Sequence, residues 1–211
     1  MYLIIGQDFH KSRMFKAKEI EGELKYAVRR QEETIYYKRL RMANPEMSRF
    51  KDLILYNLEA GEAVLTDNND IRVYTDGKEK FRALIEEMKQ AKRYIHMQYY
   101  IIRNDELWQE VEKVLIQKAR EGVAVRVLFD SMGCRTMKNR DWERLEKEGI
   151  QVAEFFPALL GQLQLRVNYR NHRKIVVIDG RVGFVGGFNV GREYLGRDKK
   201  FGYWRDTHLC I

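Results

Sequence analysis

His172 and Lys174 stand two residues apart inside the stretch Asn168–Asn189, NYRNHRKIVVIDGRVGFVGGFN. In an extended chain, side chains at that spacing point to one side, so an imidazole and an ammonium would share a surface. Imidazole is a nucleophile and proton carrier near neutral pH, and a neighbouring ammonium attracts an oxyanion. Downstream, Gly186 and Gly187 let backbone approach a ligand closely, and the amide of Asn189 can donate to an anion. The set suits a phosphate. Displacement at phosphorus through a side chain needs a nucleophile, groups that hold the developing charge, and an acid for the departing oxygen. Neutral His172 would supply the first, and Lys174 with Asn189 the second. A carboxylate on the other ring nitrogen fixes the tautomer of such a histidine, and Asp206 is the candidate for that place.

Displacement at phosphorus is in-line, so attacking and leaving atoms lie on opposite sides and one histidine cannot serve both. His10, His96 and His208 have no matching context, although His208 would share a strand face with Asp206. The chain therefore reads as half of an active site. Asp179 has two readings: an approach to Lys174, or the setting of a turn together with Gly180. The turn is the favoured one.

These residues need a scaffold. Ile175–Ile178 and Val182–Val185 flank Asp179-Gly180 and predict a hairpin. Before it, the apolar, β-branched and aromatic run Arg93–Ile102 predicts a strand, and residues 106–120 a helix ended by Gly122. Val123–Phe129 predicts a buried parallel strand with Asp130 at its end, followed by a helix over Asp141–Lys147 and a strand over Ile150–Phe155. This β-α-β-α-β run implies an α/β layered domain over residues 61–211, with ligands expected at strand ends near Asp130 and the Gly186–Asn189 loop. Pro157–Tyr169 reads as an irregular connection, and Trp204–Ile211 as a last strand in whose middle the sequence stops, as a shortened chain would.

Residues 1–60 read differently. Tyr2–Ile5 is a short apolar scrap, residues 11–42 form one or two basic amphipathic helices, and Pro45–Glu59 a further helix. Positive charge after an apolar end matches the cytoplasmic flank of a membrane helix, and equally a solvated basic helix. Ala63–Thr66 and Ile71–Tyr74 bracket a turn-rich tetrad and predict a second hairpin, with a helix over Lys78–Ala91 after it.

With 45% hydrophobic residues among 211, the chain can bury a core, which excludes wholesale disorder. A net charge of +8 favours acidic partners, either nucleic acid or an anionic membrane surface. Cys134 and Cys210 are the only cysteines and neither has metal-ligand spacing, which excludes a disulfide framework and a zinc site. No apolar run approaches the roughly 20 residues of a membrane span.

His172, Lys174, Asp179 and Gly186-Gly187-Phe188-Asn189, at their spacings, resemble the HKD signature of the phospholipase D superfamily. HMQYYIIRNDEL, VRVLFD before a glycine-containing loop, RNHRKIVVIDG, VGGFNVGREYL and YWRDTHL, in this order, resemble bacterial cardiolipin synthases of the phospholipase D type across essentially the whole chain. The resemblance implies a phospholipase D-like α-β-α layered sandwich, one HKD half preceded by N-terminal helices. It implies His172, Lys174, Asn189, Gly186 and Gly187 as site residues, Asp179 as a motif member and Asp206 as the carboxylate behind the histidine. The activity implied is transfer of a phosphatidyl group through a phosphohistidine, from one phosphatidylglycerol to another, giving cardiolipin and glycerol without metal or cofactor. The implied setting is the cytoplasmic side of a bacterial cell membrane, with a second HKD half in the same chain or a homodimer. Gln98 stands where many relatives carry Glu. A homodimeric phospholipase D-like nuclease acting on nucleic acid, or an inactive fragment, are the other readings.

Overall fold

Val28 and Ile35, two turns apart on α1 (Lys18–Tyr36), form an apolar stripe buried with Ile54 and Leu58 of α2 (Lys51–Gly61). They belong to a computed structural model that describes residues 18–36, 44–66, 69–155 and 170–211. The expectations for Tyr2–Ile5, His10 and Pro157–Tyr169 lie outside the described residues. The chain divides into two compact units, one reaching Asn69 and the other starting at Asp70.

In the first unit, Asn44 caps the 3-10 turn Pro45–Phe50 that leads into α2, its side chain accepting from the Glu46 amide at 3.0 Å. Gln31 then takes both backbone groups of Leu65, donating to its carbonyl at 2.9 Å and accepting from its amide at 2.7 Å. A residue so engaged cannot join a β ladder, and Ala63–Thr66 is not a strand. The expected second hairpin is therefore replaced by a long-range pair.

That pair joins β1 (Arg72–Asp76) antiparallel to β7 (Arg205–Cys210), with Tyr74 opposite His208. Asp76, the last residue of β1, caps α3 (Gly77–Lys89) by accepting from the Lys78 and Glu79 amides. The β-α-β-α-β run is present as β2 (Tyr94–Tyr99), α4 (Glu106–Arg120), β3 (Ala124–Asp130), α5 (Asn139–Lys147) and β4 (Gln151–Phe155). Its three strands are parallel. The hairpin β5 (Ile175–Ile178) and β6 (Val182–Gly186) lies antiparallel beside β2, completing a seven-stranded sheet in the order β1-β7-β6-β5-β2-β3-β4.

Strand alternation sets the core. Ile95, Met97 and Tyr99 of β2, Val125, Val127 and Phe129 of β3, and Val176 and Ile178 of β5 are buried with Phe81, Leu84 and Met88 of α3 and Trp108 and Val111 of α4. Asp105 caps α4, and Gly122, at φ 89°, follows its end as a left-handed residue. The architecture is mixed α/β with helices flanking the sheet, the fold class expected. Its consequence for function is positional: β5 runs up the middle of the sheet and delivers the residues before it to one sheet end.

Candidate active site

Residues 171–174 lie outside regular secondary structure and precede β5, so strand geometry alone does not orient His172 and Lys174. Asp130 sets their approach. Buried at the end of β3, its carboxylate accepts from the Asn171 amide at 3.1 Å and the Met132 amide at 2.9 Å, and stands 3.8 Å from the Arg170 guanidinium. The sequence placed Asp130 near the site without giving it a task. The task is to fix the backbone next to His172.

Beyond that point His172 and Lys174 meet on a third residue. The exposed imidazole stacks on the Tyr100 ring with centroids 3.9 Å apart and planes 19° apart. The Lys174 amine lies 5.5 Å from the same centroid and donates to the His172 carbonyl at 2.6 Å. Partial burial lowers the pKa of Lys174, and the negative charge of Asp206 opposes that shift. Ammonium and carboxylate therefore sense one another.

Asp206 sits against Gly187, where an added Cβ would overlap its carboxylate, and Gly186 is equally tight against His208. The room that these glycines provide is thus occupied by β7. Asp206 accepts from the Thr207 amide at 2.7 Å, and its expected bond to the imidazole is not made among the described residues. Asn189, also buried, has its amide engaged: its oxygen accepts from the Ile101 amide at 3.1 Å and its nitrogen donates to the Tyr194 hydroxyl at 2.9 Å. In this structure it locks the loop after β6 to the chain leaving β2.

Asp179 is not brought to His172 and Lys174. At the far end of β5, with φ 57°, its carboxylate accepts from the amides of Lys92, Arg93 and Tyr94 at 2.8, 2.9 and 2.8 Å. Burial acts to raise its pKa, but those amides and the Arg181 charge hold it below the ordinary carboxylate range. Asp179 thus sits at the turn, with its carboxylate given to backbone amides rather than to Lys174. It is a clamp on the start of β2. Gln98 lies within β2, opposite Ile175 and Leu128, on the face away from Met97 and Tyr99.

Sequence reasoning missed Tyr100 and Lys80, and left His208 without a task. His208 is buried, neither ring nitrogen has a hydrogen-bond partner among the described residues, and burial with the charges of Lys80 and Lys174 lowers its pKa to about 3. Lys80, fully buried on α3, donates to the Tyr99 hydroxyl at 2.7 Å. The signal for Tyr100 was its place directly after an apolar strand, at the sheet end where ligands bind.

An α/β sheet whose central hairpin has the histidine and lysine before its first strand and the aspartate at its turn has the layout of the phospholipase D-like class. The chain belongs to the family described as cardiolipin synthase, PLD-like domain, whose family model matches residues 84–201. Cardiolipin synthase 2 of Staphylococcus epidermidis is 44% identical over 212 residues, covering 100% of this chain and 43% of its own length. Cardiolipin synthase of Oceanobacillus iheyensis is 44% identical, covering 100% of this chain and 44% of its own. The chain thus spans less than half the length of these curated relatives. Among solved structures, phosphatidylserine synthase of Haemophilus influenzae matches 67% of this chain and 32% of its own, with a TM-score of 0.53 and 20% identity, a likeness of fold.

Proposed function

We propose that this chain supplies one histidine–lysine half-site of a phosphatidyltransferase that converts two phosphatidylglycerol molecules into cardiolipin and glycerol. The observation that carries this reading is the exposed His172 imidazole and the Lys174 amine meeting over one aromatic ring at the end of the central hairpin. The cardiolipin synthases that match the whole chain support the lipid substrate.

In the first step a ring nitrogen of His172 attacks the phosphorus of phosphatidylglycerol. The bond from phosphorus to the headgroup glycerol oxygen breaks, and that oxygen takes a proton from an acid opposite His172. A second histidine–lysine element, in the same polypeptide or a second copy, supplies the acid. The group so deprotonated then accepts the hydroxyl proton of a second phosphatidylglycerol, whose oxygen attacks phosphorus. The phosphorus–nitrogen bond breaks and His172 is free again. Lys174, held protonated with help from Asp206, balances charge on the phosphoryl oxygens.

An anionic lipid substrate puts the work at a membrane surface, here the cytoplasmic face of a bacterial cell membrane, and a net charge of +8 favours that contact. No helix among the described residues is long and apolar enough to cross a membrane. The test uses the two-element enzyme containing this chain and a phosphatidyl donor labelled at phosphorus. An acid-labile phosphoenzyme and labelled cardiolipin are expected, and His172→Ala should remove the adduct and lower turnover by at least about 10⁴-fold. An adduct that survives the substitution rules out His172 as nucleophile. Cleavage of a nucleic acid diester with no lipid product would move the reading to a nuclease.

A further inference from the structure

Tyr100 is the first residue beyond β2, and its backbone is held from two sides. Its carbonyl accepts from the Cys134 thiol at 3.6 Å, and an added Cβ at Gly133 would overlap that carbonyl. The next amide, Ile101, is bound by Asn189, and the Ile101 carbonyl accepts from Val190 at 3.1 Å. The Ile102 amide donates to Cys134 sulfur at 3.3 Å, and the Arg103 amide to the Val190 carbonyl at 2.9 Å. Loops after β3 and β6 thus fix the segment from which one ring projects toward both His172 and Lys174.

That ring has a job to do. Among the described residues no hydrogen bond reaches the ring nitrogens of His172, and Asp206 is engaged with Thr207. Without a plane to lie on, an exposed imidazole rotates about its side-chain bonds, and the in-plane nitrogen lone pair sweeps away from the line of attack. Stacking removes that freedom while leaving the ring edge, where the nitrogens lie, open to substrate.

We propose that Tyr100 is a positioning residue of the half-site, holding the plane of the His172 imidazole and keeping the Lys174 ammonium beside it. The inference rests on the phosphatidyltransfer reading above. It assigns the aromatic face to the task and leaves the hydroxyl without one. It also gives Asn189 an indirect part, since the Asn189 amide holds the backbone that carries the ring.

The experiment compares Tyr100→Phe and Tyr100→Leu in the two-element enzyme. Phenylalanine keeps the stack, so turnover and the rate of phosphoenzyme formation should stay within about twofold of the parent. Leucine removes it, and kcat should fall between about 10-fold and about 100-fold with KM for the lipid nearly unchanged. Ring-proton NMR shifts of His172 supply a second readout, displaced upfield by the stacked ring in parent and Phe variant and returning downfield in the Leu variant. A Leu variant as fast as an active parent, or a Phe variant as slow as the Leu variant, overturns the proposal. So does a parent enzyme whose His172 protons show no upfield displacement, a result that does not depend on turnover or on the Leu variant folding. A parent that shows the displacement but forms no phosphoenzyme sinks the transfer reading instead.

Discussion

The β5–β6 hairpin has two ends of opposite character. At one, His172 and Lys174 lie exposed and half-buried over Tyr100, and Gly186 and Gly187 press against the backbone and side chains of β7. At the other, Asp179 and Gly180 turn the chain with φ 57° and 68°, and the Asp179 carboxylate holds three amides of the adjoining segment. The five residue steps from Lys174 to Asp179 put roughly 16 Å between them. On the reading proposed above, a single sequence signature covers two physical jobs, with chemistry at the first end and strand placement at the second. Residues that recur together in a motif need not act together on substrate.

Substitution at each end separates the jobs. Gly187→Ala is expected to have the larger effect on chemistry, because its Cβ overlaps the Asp206 carboxylate and either β6 or Asp206 must move. Turnover in the two-element enzyme should fall about 100-fold while the cooperative unfolding transition survives. An alanine variant of parental activity would mean that the spacing of β6 and β7 does not govern the site. Asp179→Ala should do the reverse. Losing an acceptor for three amides should cost about 1–3 kcal/mol of stability in urea unfolding, with activity per folded molecule within about threefold of the parent. If Asp179→Ala instead abolished phosphoenzyme formation at unchanged stability, the division of the hairpin into two jobs would be wrong.

The same contrast explains what the sequence disclosed. The hairpin was legible because Asp179-Gly180 sits between two apolar runs, and the parallel strands because their apolar residues are local and continuous. The β1–β7 pair was not legible, since its partners lie more than a hundred residues apart and nothing near Ile71–Tyr74 marks the true neighbour. Gln31 was invisible for the same reason: an amide that captures Leu65 reads in sequence as one more polar helix residue. At the site, residue types suggested chemistry but not occupancy. The sequence could not show that the Asn189 amide holds Ile101 and Tyr194, that Gly187 makes room for Asp206, or that Tyr100, inside an apolar run, stacks on His172.

Acid should distinguish the two ends by pH window. His208, opposite Gly186 on β7, is buried with its pKa lowered to about 3 by burial and by the charges of Lys80 on α3 and Lys174. The unfolded chain, with an ordinary imidazole near pH ~6.5, then binds a proton that the folded chain refuses. Stability from this end is complete above that value and declines as the pH falls toward 3, by up to about 1.4 kcal/mol per pH unit. The Asp179 carboxylate, held below its ordinary range, contributes above about pH 4 and is lost only as the pH falls through its lowered folded value. Urea unfolding of His208→Leu at pH 7, 5.5 and 4.5 should therefore show a flatter dependence than the parent. Asp179→Asn should run parallel to the parent over that range and converge with it only in stronger acid. Parallel curves for His208→Leu would show that this imidazole takes up its proton in the folded state, which requires a partner or water beneath the site and would make the open end wetter than its packing indicates.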